Sequence, residues 1–156
     1  MIRGRDFWLR AANTVGTAAL CDGKPHVMNR GILRIGSDLF VKSLPVQTHI
    51  HVERGGILII GDRVTIGHGV NISCATKIEI GSDVRIGAFA MIIDTDYHLS
   101  DNPKAPGKTA PIFIQNGVRI GAHATILRDT YLGEGADIAP GAVVYGRIAA
   151  GSRVAA

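Results

Sequence analysis

Aromatic side chains are scarce in this chain, at 5% of 156 residues with a single tryptophan. A core of stacked rings is therefore excluded, and the apolar interior must come from Ile, Val, Leu and Ala. Cysteine is scarcer still. Cys21 and Cys74 are the only two, too few for a disulfide framework, which fits a reducing compartment. No run approaches the ~18 consecutive apolar residues of a membrane-spanning helix. Near the N-terminus, Asp6 and Arg10 interrupt "DFWLRAANTVGTAAL", which makes it a poor secretory signal.

Glycine is abundant, with 20 residues, and predicts many tight backbone corners. The formal charge is +4 and the pI about 9.4, a balance that suits an anionic ligand or polymer. Trp8, Ala11, Ala12, Val15, Ala18 and Ala19 recur at helical spacing. They predict a short amphipathic helix over 6–20, within an N-terminal capping segment of residues 1–30.

The rest is dominated by a period of six. Ile114, Ile120, Ile126, Leu132, Ile138 and Val144 stand six apart. Val118, Ala124, Thr130, Ala136 and Ala142 follow each of the first five after four residues. Ile60, Ile66, Ile72 and Ile78 repeat this upstream, and Ile80, Ile86 and Ile92 start two residues out of phase. That slip reads as a corner insertion. Six is a multiple of the strand period, so the paired residues share the inward face of a short strand. A turn every six residues is too frequent for a sandwich. A stacked solenoid of parallel strands satisfies it, with three hexads per coil making a triangular prism. Glycines 61, 67, 81, 87, 121 and 133 follow the aliphatic residue, where a bend to positive φ is expected.

Between Ile92 and Ile114 the rhythm stops. The stretch "IDTDYHLSDNPKAPGKTAPIF" holds three prolines, a glycine and several charges, which predicts a loop over 94–111. In an extended segment Asp94, Asp96 and His98 share one face. A carboxylate beside an imidazole sets the tautomer and orientation that a general base needs. The remaining histidines read as structural: His68 and His123 at corners, His49 and His51 on one strand face, His26 in a turn. No two histidines stand five apart, the spacing of the zinc ligands of the γ-class carbonic anhydrases, which share the six-residue repeat fold, and no metal is expected.

"IGDRVTIGHGVNIS", "IGSDVRIGAFAMI" and "IQNGVRIGAHATILRDTYLGEGADIAPGAVV" resemble the hexapeptide-repeat acyltransferases over residues 31 to 154. The resemblance implies an all-β fold, a left-handed parallel β-helix over 31–156, against the right-handed crossover rule. "DYHLSD" is similar to the Asp-x-His segment of the branch that O-acetylates sugars, sialic acids and capsules. It implies acetyl-CoA as donor, a sugar or polysaccharide acceptor, His98 as general base and Asp96 as its orienting acid, with Asp94 the second choice. Ala122, Pro140 and Tyr145 fall where that family contacts the pantetheine arm. The family's usual lysine is Gly146 here, which leaves Arg147 or Arg153 for the 3′-phosphate. The same resemblance implies a cytoplasmic homotrimer with no nucleic-acid partner and no integral membrane segment. Transfer to an amine on an amino-sugar nucleotide or antibiotic, and a non-catalytic scaffold, are the alternatives.

Overall fold

The computed structural model describes residues 2–3, 11–98 and 100–156. Within it the six-residue period folds as a parallel β-solenoid of three sheets. The first face stacks Leu20–Asp22, Phe40–Lys42, Thr65–Ile66, Arg85–Ile86, Arg119–Ile120, Asp137–Ile138 and Arg153–Val154. The second stacks Thr14–Val15, Ile32–Ile35, Ile57–Ile60, Lys77–Ile80, Ile112–Ile114, Tyr131–Leu132 and Arg147–Ile148. The third stacks His26–Asn29, His49–Val52, Asn71–Cys74, Met91–Ile93, Thr125–Ile126 and Val143–Val144. The chain visits the faces in the order second, first, third, and rises one rung per circuit. All pairings among these strands are parallel. Ile2–Arg3 joins the first face antiparallel to Leu20 and Cys21.

The predicted helix over 6–20 is not formed in its described part. Thr14–Val15 is a strand beside Arg34 and Ile35, and Leu20 opens another beside Phe40. The small residues that suggested a helical stripe enter the coil instead: Ala19 is buried, and Ala12 and Val15 pack against the core. A local period was overridden by pairing to the next coil. Residues 6–10 lie outside the described residues. Among the described residues no helix is long and apolar enough to cross a membrane.

Register explains the core. Ile66, Ile86, Ile120 and Ile138 stack rung on rung on the first face. Ile72, Ile92, Ile126 and Val144 do so on the third. All of these are buried, as are the smaller Val64, Val84, Val118, Ala124 and Ala136 before them. The two-residue slip at 78–80 lengthens the strands flanking one corner, Asn71–Cys74 and Lys77–Ile80, so that Cys74, Ile78 and Ile80 all point inward.

The glycines after the aliphatic residue do a different job from the expected bend. Gly121 has an ordinary φ, but a Cβ there would strike the Pro140 backbone nitrogen of the next coil. Glycine is needed for close approach. Left-handed corner positions fall instead on residues such as Phe89 and His123, at φ 60° and 59°.

Both thiols lie in this interior. Burial pushes Cys21 and Cys74 up to about 12, and the Cys74 thiol donates to the Ile57 carbonyl at 3.3 Å. Thiolate is the reactive form, so at pH 8 neither should be labelled by a thiol reagent until the chain unfolds. Rapid labelling of the native protein would contradict the burial. The core makes a second prediction. Ile126→Asp places an unpaired carboxylate among aliphatic side chains, a cost beyond the ~5–15 kcal/mol margin of a native domain. It should yield insoluble protein, while the exposed Glu134→Lys expresses normally; soluble, stable Ile126→Asp would refute the register.

Candidate active site

The loop predicted over 94–111 leaves the solenoid at the edge between the third and second faces. It is rooted by Asp94, whose side chain is wholly buried. The carboxylate accepts three backbone N–H bonds from the coil before it: Ala75 at 2.6 Å, and Thr76 and Lys77 at 2.8 Å each. These are donors of the lengthened corner. Asp94 therefore acts as an anchor, and its oxygens are occupied by backbone.

Beyond the anchor the two limbs of the loop run antiparallel. Thr95 bridges Thr109, and His98 bridges Pro106. Ala110 N–H reaches the Asp94 carbonyl at 3.1 Å, and Asp96 N–H reaches the Lys108 carbonyl at 2.9 Å. Gly107 allows the return limb to approach: a Cβ there would come within 2.7 Å of the His98 nitrogen. The excursion is thus a paired ribbon that lifts Asp96, Tyr97 and His98 into solvent. Tyr97 holds φ at 58°, in the left-handed region that a bulky residue seldom occupies. Strain of that kind gathers at functional sites.

Asp96 and His98 are brought together through the backbone, where the His98 N–H donates to the Asp96 carbonyl at 2.6 Å. The Asp96 carboxylate meets a residue absent from the sequence reading. Arg128 Nε donates to its Oδ2 at 2.8 Å. Arg128 sits in the same edge one coil further on, with its side chain only 25% exposed. No local pattern marks it, because the contact spans 32 positions of chain.

The residues expected along the donor do not share one edge. Ala122 and Pro140 occupy successive turns between the first and third faces, joined through the Gly141 N–H to the Ala122 carbonyl at 2.9 Å. Phe89 and His123 continue that edge, their rings stacked 4.9 Å apart. Tyr145 lies on the other edge, that of the loop, and is 63% exposed. Arg147 follows on the second face, its guanidinium 4.2 Å above the Tyr131 ring. It helps line a cavity of about 300 Å³ with Pro111, Phe113, Asp129, Thr130, Tyr131 and Gly146. Arg153 stands near Asp137, 4.0 Å away, on the first face.

Comparison with known proteins supports the repeat. Residues 111–146 match the family described as bacterial transferase hexapeptide (six repeats). That segment of the chain is similar to the hexapeptide-repeat transferases. The chain is 28% identical over 142 residues to the probable acetyltransferase Rv3034c of Mycobacterium tuberculosis (strain ATCC 25618 / H37Rv). That match covers 80% of this chain and 47% of the relative, so the chain spans about half the length of the curated relative it matches. Among solved structures, a point mutant of AntD, an N-acyltransferase from Bacillus cereus in complex with dTDP and coenzyme A, aligns with TM-score 0.72 at 18% identity. The alignment covers 89% of this chain and 76% of that one. The polySia-specific acetyltransferase NeuO aligns with TM-score 0.62 at 19% identity, over 93% of this chain and 75% of that one.

The solenoid frame makes the two acids separable by experiment. Asp94→Ala strands three backbone donors and should cost about 3 kcal/mol or more. That lowers the melting temperature by about 6–12 °C in a domain of this size. Asp96→Asn breaks only a partly exposed ion pair, worth about 0–1 kcal/mol, and should melt near the parent. Equal melting of all three proteins would remove Asp94 from its anchoring role.

Proposed function

We propose that this chain transfers an acetyl group from acetyl-CoA to a hydroxyl of a sugar or surface polysaccharide. The observation that carries the reading is the paired ribbon, which interrupts a regular solenoid to hold an exposed histidine beside an acid. His98 takes the proton from the acceptor hydroxyl as its oxygen attacks the thioester carbonyl carbon. The tetrahedral adduct collapses, the C–S bond breaks, and the CoA sulfur leaves with that proton. Asp96 orients the imidazole through the carboxylate oxygen that Arg128 does not take.

Ala122 and Pro140 border the pantetheine arm: their side chains are small, and glycines beside them leave the backbone open. Tyr145 lies on the loop edge and Arg147 just beyond it on the second face, and Arg147 is the partner assigned to the 3′-phosphate. Residues on two edges of one prism serve a single donor when two copies meet, with the loop of one facing the donor edge of the next. A cytoplasmic homotrimer fits that requirement, with the coils wound left-handed. The exposed Phe89, Met91, Val143 and Tyr145 border the third face, between those two edges, and give such a contact its apolar area. The similarity to a probable acetyltransferase of M. tuberculosis supports the acyl donor, and the fold is one shared with the polySia-specific acetyltransferase NeuO.

A second reading transfers the group to an amine, the fold being shared also with the N-acyltransferase AntD. Release of free thiol from acetyl-CoA, across a panel of sugars and amino-sugar nucleotides, tests both. An O-ester product is cleaved by mild alkali and an amide is not. His98→Ala should lower turnover by about 10²–10⁴-fold with CoA affinity little changed. Asp96→Asn should lower it with the fold intact. Near-parental turnover in His98→Ala would remove the base from this residue.

A further inference from the structure

The outer surface of the third face carries a cluster that acyl transfer does not use. His49 and His51 alternate on one strand, so both side chains point outward. His26, expected in a turn, opens the neighbouring strand and pairs directly with His49. The three rings stand 5.4, 5.3 and 5.8 Å apart between centroids, mutually inclined at 45°, 76° and 84°. Three imidazoles around a tetrahedral ion, each nitrogen about 2.0–2.1 Å from the metal, place their centroids about 5.2 Å apart. The strands therefore already hold the rings near the spacing of such a tripod.

A second observation points the same way. The Nε2 of His51 is buried and has no hydrogen-bond partner. An orphaned buried nitrogen is costly unless something accepts its proton or its lone pair. Its neighbours on the sheet are Met28 on one side and Ser73 on the other, and the Ser73 hydroxyl donates to Asn71 at 3.2 Å. Burial, then the neighbouring His26 and His49, hold the His51 imidazole below its usual range, against the pull of Glu53.

We propose that His26, His49 and His51 form a binding site for a late first-row divalent cation such as Zn²⁺. Among the described residues no three such groups already converge on one point. Closing the site requires the three rings to turn until one nitrogen of each meets the ion. Neutral imidazole suits zinc, nickel and copper and is a poor ligand for magnesium. The inference concerns residues other than those assigned to acyl transfer, although His49 stands in the same outward column of the third face as Met91 and Val143.

Calorimetric titration of the full chain with Zn²⁺ at pH 7.5 tests it. One ion should bind per chain, with magnesium failing to compete. His26→Ala, His49→Ala and His51→Ala should each weaken binding by about tenfold or more. The same changes to Gln, and the melting temperature of every variant, separate ligand loss from misfolding. His68→Ala and His98→Ala should bind as the parent does. At pH 5.5 proton competition should weaken the site. Absence of saturable binding to the parent, or binding that survives all three substitutions, overturns the proposal; so does a loss that follows His98 instead.

Discussion

No coil of this chain can bury its aliphatic residues alone. A short strand with one or two inward side chains has no partner within its own circuit beyond the two other faces, and its backbone groups are open above and below. Both needs are met by the neighbouring coil in register, where Ile66 sits beneath Ile86 and Ile86 beneath Ile120. Stacking in register is therefore the constraint on which everything else depends. It accounts for the glycines beside the corners, since coils one rung apart leave no room for a Cβ at Gly121. It accounts as well for the loss of the expected N-terminal helix, because Thr14–Val15 gains a strand partner that a helix would forgo.

The same constraint shapes the candidate site. A solenoid can interrupt itself only if the next coil resumes in register. Asp94 makes this possible by closing three backbone donors at the corner where the chain departs. Ile112 and Ile114 then return to Ile78 and Ile80 as though nothing had intervened. Everything between is released from the repeat and free to carry chemistry. The ribbon is held at its base by the buried Asp94 side chain and at its flank by the Arg128 ion pair. Of the three acidic and basic residues first grouped on one face, one is structural and two are lifted away from the coil.

The edges of the prism divide the donor-side residues in a way that reading along the chain does not suggest. Ala122 and Pro140 are close to Tyr145 in sequence, yet a whole face separates their turns. Within one chain they do not line a common groove. Arg147, expected to meet the 3′-phosphate, stacks on Tyr131.

What the sequence determined by itself was the solenoid, its inward stripe and the place where it breaks. These follow from a period of six repeated many times, and repetition makes a weak local signal strong. The loop that carries Asp96 and His98 was legible for the same reason, as the stretch where the period lapses. Only the tertiary structure decided the rest. It separated Asp94 from Asp96, because which backbone donors meet a carboxylate depends on the coil beneath. It brought Arg128 to Asp96 and His26 to His49, contacts that join different coils and leave no trace in local spacing. It made residues 11–20 short strands and turns of the coil in place of a helix, since pairing across coils outweighs a local propensity worth only tenths of a kilocalorie per residue.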